Sequence, residues 1–193
     1  MKKPDARNRI LAKASLLFFE KGYSQVGINE IIEESGTAKA TFYHHFPSKK
    51  ALCEAWLTET HRQCEGGLVD LLKSEGDPVS KVARYFDQLL EYLKANDYRG
   101  CPYSNTAVMA AAEDSIIQRV KQHKARIRDF FRQLATQIIE PDSGGIRLGD
   151  ALFLLHSGAT TEAQNVREPW PVEVARETGI QLCRYAKRAL SKR

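Results

Sequence analysis

Twenty residues, 27–46 (GINEIIEESGTAKATFYHHF), constrain this chain more than any other stretch. Residues 28–35 (INEIIEES) predict a short helix with Ile28, Ile31 and Ile32 on one face. Glu30 and Glu33 suit the helix dipole, and Gly36 ends the helix, supplying the positive φ that a tight turn requires. Residues 39–45 (KATFYHH) predict a second short helix, with Phe42 and Phe46 closing the seam against the isoleucines. Two short helices, a glycine turn and a buried seam make a helix–turn–helix. The outer face of the second helix carries Lys39, Ala40, Thr41, Tyr43 and His44. It is short, polar and free of acids, so it can approach a polyanion. A helix fits the major groove, and its N-terminal residues reach the base edges.

The remaining punctuation is helical almost throughout. Residues 6–21 place Ile10, Leu11, Ala14, Leu17 and Phe18 at helical spacing, with Asp5 as N-cap and Gly22 as the stop. Ser48 caps a fourth helix carrying Leu52, Ala55, Trp56 and Leu57, which Gly66-Gly67 is expected to break or bend. Asp77-Pro78 reads as an N-cap followed by proline at the first helical position. The helix it opens has Val82, Tyr85, Phe86, Leu89, Leu90 and Leu93 inward. Residues 100–103 form a break, and a helix restarts near Ser104 and runs through Met109. A long amphipathic helix is expected over 115–139, a loop at 141–145, and helices at 147–165 and 172–190 around a loop holding Pro169-Trp170-Pro171. No alternating run with a hairpin turn is present. The expectation is an all-α protein of about nine helices. A DNA-binding domain occupies residues 1–50, and a C-terminal domain occupies 51–193.

Composition narrows the classes. The chain has 193 residues, 42% hydrophobic and 27% charged, a globular balance. No apolar run is long enough for a membrane-spanning helix, and the basic start lacks the apolar core of a secretory signal, so a cytoplasmic protein is expected. Cys53, Cys64, Cys101 and Cys183 lack C-x-x-C spacing and read as buried free thiols rather than a zinc cage. The net charge is +5. Residues 1–50 hold nine Lys/Arg against five acids, +4, which leaves +1 for the rest. A basic first quarter suits phosphates, although a solvated face explains it equally well. Lys2, Lys3 and Arg7 read as a nonspecific arm or as a silent tail. No phosphate loop, dinucleotide fingerprint, H-E-x-x-H or G-x-S-x-G motif is present, so no enzyme, metal or cofactor is expected. His61, His123 and His156 stand in separate helices and read as surface or satisfied residues.

Residues 9–57 resemble the DNA-binding domain of the TetR (tetracycline repressor) family. The resemblance rests on RILAKASLLFFEKGY, INEIIEESG and KATFYHHFPSKKAL, while GCPYSNTA (100–107) resembles a GC-x-x-x-N stretch of one subset of that family. It implies an all-α homodimeric repressor that binds a palindromic operator and is released by a small-molecule effector. By position, the family's recognition helix carries Lys39, Ala40, Thr41, Tyr43 and His44. Asn29 lies near the start of the preceding helix, and His45 and Lys49 follow. Gly27 and Ala38 depart from the family's usual Thr and Ser at the two N-caps, and Ala is the poorer cap. Thr37 is then expected to take over the cap and move the helix start by one residue. Each contact has a plain structural alternative: Tyr43 and Thr41 as helix packing, Asn29 and His44 as solvated surface, His45 as a structural residue.

In the C-terminal domain, Tyr85, Phe86, Leu89, Tyr103, Asn105, Met109, Phe130 and Trp170 are the effector-contact residues, or else plain core. Dimerisation falls to the last two helices. Ala151, Leu152, Leu155, Gly158, Ala159 and Ala163 lie on one, and Ile180, Leu182, Tyr185 and Leu190 on the other; the alternative is an intramolecular pair. Cys101 reads as structural ahead of a redox sensor. The rival to the regulator is a helical interaction module or effector-binding protein without specific DNA binding.

Overall fold

The computed structural model describes residues 5–109 and 114–190. Lys2 and Lys3, and the side chain of Leu190, fall outside them. The described residues form nine α-helices: α1 (Ala6–Lys21), α2 (Ile28–Ser35), α3 (Lys39–His45), α4 (Lys49–Lys73), α5 (Pro78–Ala95), α6 (Pro102–Met109), α7 (Asp114–Thr136), α8 (Ile146–Val166) and α9 (Trp170–Leu190).

They divide into two compact units. The first comprises the chain up to Gln63 together with Pro102–His123, and the second comprises Cys64–Cys101 and the chain from Lys124 onward. The boundary expected at residue 50 therefore moves. The first half of α4 belongs with α1–α3, because Trp56 packs its ring 5.5 Å from that of Phe18. α6 joins the same unit, where the Tyr103 hydroxyl donates to the Leu57 carbonyl. The start of α7 joins it as well, with Ser115 Oγ 2.5 Å from Glu54 Oε1.

Local chemistry explains the helix ends. Asp5 Oδ1 accepts from the Asn8 amide at 2.8 Å and caps α1. Ser48 Oγ accepts from the Ala51 amide and caps α4. Several boundaries differ from expectation. α4 passes straight through Gly66-Gly67. Two glycines weaken a helix by roughly 1 kcal/mol each, but Leu68 and Leu71 beyond them are buried in the second unit's core and hold the last turns in place. Trp170 and Pro171 open α9 rather than lying in a loop, since proline is tolerated in a first turn. α6 starts at Pro102 for the same reason. α7 ends at Thr136, three residues early, and residues 141–145 form one wide turn leading directly into α8. Asp77 occupies the N-cap of α5, yet its side chain makes no capping bond there.

The second unit's core gathers Val82, Phe86 and Leu93 from α5, Phe130, Phe131 and Leu134 from α7, and Leu152 and Ala163 from α8. α9 packs against α5 and α8. The backbones of α7 and α8 meet at Gly149, where a Cβ would come 2.5 Å from the Arg132 Cα. Asp150, one residue on, receives paired N–H donors from both Arg128 and Arg132 at 2.6–3.0 Å. The two guanidiniums hold its carboxyl well below the usual carboxylate range, Arg132 foremost.

Candidate nucleic-acid interface

α2 and α3 meet over a seam formed by Ile31, Phe42 and Phe46, all buried. Gly36 joins them in the left-handed region (φ 58°), with its amide bonded to Glu33 and Ile32 carbonyls. At the start of α2, Glu30 accepts from the Gly27 backbone and from Lys21 Nζ at 2.5 Å, which lowers its pKa, the lysine bond being the larger cause. That reach back to the N-cap amide is half of a capping box, made without a capping side chain.

α3 begins at Lys39 with Ala38 as N-cap and no side-chain cap; the first helical bond runs from the Phe42 amide to the Ala38 carbonyl. The expected shift of the start to Thr37 does not occur. Thr37 Oγ1 is engaged with Ser35 Oγ at 2.8 Å, and Ser35 is itself buried. The register of α3 is therefore fixed. Lys39, Ala40, Tyr43 and His44 are exposed, Thr41 and His45 are half-buried, and Asn29 is exposed on α2. Tyr43 is exposed, and its ring packs perpendicular to the buried Phe42 ring, 5.3 Å between centroids. Lys49 lies over the Tyr23 ring at 4.7 Å and donates to the Ser24 carbonyl at 3.4 Å. These contacts hold its ammonium at the start of α4, where the helix dipole disfavours a cation. Arg7 lies over the Phe46 ring at 5.4 Å, so it is part of the packed unit and not of a loose arm.

The result is a short helix standing on an apolar seam, its outward face polar and without a carboxylate. Residues 10–56 match the family described as "Bacterial regulatory proteins, tetR family". A solved TetR-family transcriptional regulator from Streptomyces coelicolor superposes with a TM-score of 0.81 at 25% identity, over 96% of each chain. The chain belongs to the TetR family. Among sequence relatives of this TetR-family member, the HTH-type transcriptional regulator in the lacX 3′ region of Lactococcus lactis subsp. lactis is 28% identical over 138 residues, 70% of this chain and 67% of the relative. The HTH-type transcriptional repressor NemR of Escherichia coli (strain K12) is 29% identical over 99 residues, half of each chain. These relatives are transcriptional regulators, not enzymes.

The residues expected at an effector divide between places. Tyr85, Phe86 and Phe130 pack together in the second unit, with Leu89 half-buried beside them. Tyr85 Oη lies 3.0 Å from His156 Nδ1. Burial pushes the phenol well above its ordinary pKa, and the hydroxyl shares a hydrogen bond with the His156 ring. Tyr103 belongs to the first unit, stacked on His123 at 3.7 Å. Asn105 is half-buried on the same helix, and Met109 is partly exposed with its thioether against Gly22. Trp170 is 48% exposed and lines an apolar groove along α8 and α9, so it is not part of the Tyr85 cluster.

That groove, about 470 Å³, also includes Ala151, Leu154, Leu155, Gly158, Val174 and Leu182. Of the residues expected at a dimer interface, Ala151, Leu155, Gly158, Leu182 and Tyr185 are exposed or half-buried. Leu152, Ala159 and Ala163 instead turn into the core. Leu154 and Val174 are exposed here and were not singled out by sequence; an amphipathic pattern does not separate an outer apolar face from an inner one.

Two thiols are inert: burial pushes Cys64 up to about 11 and Cys183 up to about 12. The histidines are not isolated. His61 and His123 face each other across α4 and α7, and His156 pairs with Tyr85.

Proposed function

We propose that this protein represses transcription as a homodimer that seats its two α3 helices in successive major grooves of a palindromic operator. A small-molecule effector bound by the second unit releases it. The observation that carries the reading is the outward face of α3. Lys39, Ala40, Tyr43 and His44 are exposed on a helix whose inner side is locked by Phe42. Lys39 is suited to a guanine or a phosphate, Tyr43 and Thr41 to phosphate, and His44 to a base edge. His45, Lys49, Thr37 and Asn29 flank that face as backbone-contact or supporting residues. The exposed apolar groove of α8 and α9 supports the dimer, since a monomer would leave it in water. Two half-sites of one symmetric pair lie about 34–36 Å apart, one turn of the duplex. Release requires that the effector bind better to the arrangement unsuited to DNA. No helix among the described residues is long and apolar enough to cross a membrane; a repressor that reads DNA in this way works in the cytoplasm.

Footprinting on the DNA upstream of the protein's own gene tests this reading. A protected inverted repeat whose occupancy falls steeply with salt supports a repressor. An absence of protection at low salt identifies an interaction module that does not bind DNA.

A further inference from the structure

His61 on α4 and His123 on α7 lie 62 positions apart in sequence and meet inside the first unit, with their Nδ1 atoms 3.3 Å apart. His123 is only 5% exposed. Its ring is fixed by the stacked Tyr103 ring, 3.7 Å away and nearly parallel at 4°, and Tyr103 is anchored in turn by its hydroxyl bond to the Leu57 carbonyl. A cavity of about 70 Å³ opens beside the pair, bounded also by Thr58 and Gln122. It is large enough to hold water.

The spacing is informative. Two imidazole nitrogens bound to one tetrahedral cation at about 2.0–2.1 Å stand about 3.3–3.4 Å apart. The pair already has that separation; its ring centroids stand 5.6 Å apart, so the two Nδ1 atoms face each other nearly head-on and the rings must turn for both lone pairs to converge on one cation. The nearby cation is compensated: Arg119 donates to Thr58 Oγ1 at 2.9 Å and lies 3.7 Å from the Glu54 carboxylate. Among the described residues no third His, Cys, Asp or Glu completes a cluster.

We propose that His61 and His123 form a two-imidazole site for a divalent transition cation of the Zn(II) type, with water at its remaining positions. In the metal-free pair one Nδ1 carries the shared proton. On binding, that ring moves its proton from Nδ1 to Nε2, so both rings stay neutral and both Nδ1 lone pairs meet the metal. Imidazole with water suits Zn(II), Co(II), Ni(II) and Cu(II) rather than Mg(II) or Ca(II).

The test is a Co(II) titration of the full chain followed by Zn(II) displacement. One equivalent is expected to bind with tetrahedral d–d bands and no thiolate charge-transfer band, and Zn(II) is expected to raise the melting temperature. His61→Gln should lose at least about tenfold in affinity and lose the Zn(II) effect on melting, whereas the double variant Cys64→Ser/Cys101→Ser should retain both. His61→Cys should restore one-equivalent binding and introduce a thiolate charge-transfer band, which places the metal at position 61. A wild-type chain that fails to bind either metal at micromolar concentration overturns the proposal. So does a His61→Gln variant that binds as tightly as wild type.

Discussion

Two surfaces of this molecule are left uncovered, and their chemistries are opposite. The outward face of α3 offers Lys39, Tyr43 and His44 without a carboxylate, whereas the α8–α9 face offers Leu154, Trp170, Val174 and Leu182. A polar, acid-free helix face loses little by staying in water and gains when a polyanion arrives. An apolar groove is unfavourable in water and is relieved by another apolar surface. The first therefore suits reversible, salt-sensitive binding, and the second suits lasting association between copies. Each is also backed differently. α3 rests on one buried aromatic seam in a seven-residue helix, while α8 and α9 are 21-residue helices packed over a large core.

The contrast can be broken in graded steps. Phe42→Ala should have the largest effect. It removes a fully buried ring beneath α3, costing about 3–5 kcal/mol and abolishing DNA binding; a denaturant melt and a gel shift on the same sample check it. Leu154→Glu comes next. A buried charge in the apolar groove should move the sedimentation mass toward the 21.8 kDa monomer. Operator affinity should then fall by about a hundredfold, because two half-sites are no longer engaged together, while melting of α1–α3 is unaffected.

Lys39→Ala separates the surfaces from the other side. It should leave the dimer intact and cost about 1–3 kcal/mol of operator affinity if it reads a base, or lower the salt slope by about one if it reads a phosphate. Gly36→Ala should cost about 1 kcal/mol of stability, since the site has open space and the penalty is the left-handed backbone alone.

Asp150→Asn should have the smallest effect, below about 1 kcal/mol for a pair this close to solvent. The folded-state pKa of Asp150 is lowered by Arg132 and Arg128. Its stabilisation is therefore complete above the ordinary Asp pKa of about 3.9, and it is lost as pH falls from there toward the lowered value. Wild type and variant should differ at pH 7 and converge in acid, as paired thermal melts will show.

The sequence makes the first unit legible because each of its helices carries its own punctuation. Asp5, Gly22, Gly36 and Ser48 act within one or two turns, so local chemistry alone sets those ends. The misread elements are the ones decided at a distance. Gly66-Gly67 reads as a break until Leu68 and Leu71 are seen held in the core. Trp170-Pro171 reads as a loop by composition, yet proline is equally at home in a first turn. Thr37 looks like the cap of α3, but buried Ser35 claims its hydroxyl. The outward face of α3 was legible because only its inner positions are apolar. The outer side of α8 was less so, since Leu152 and Leu154 are alike in type and opposite in exposure. The meeting of His61 with His123 could not be read at all, because it depends on how α4 and α7 pack.

The most direct test of the central claim, that α3 is presented twice to successive major grooves, is selection of binding sites by the purified chain from random duplex DNA. The account predicts an inverted repeat with half-sites centred about 10–10.5 base pairs apart or a multiple of that, bound by the wild type and lost with Phe42→Ala. Enrichment of no symmetric sequence, or of one that the variant binds equally well, would contradict it.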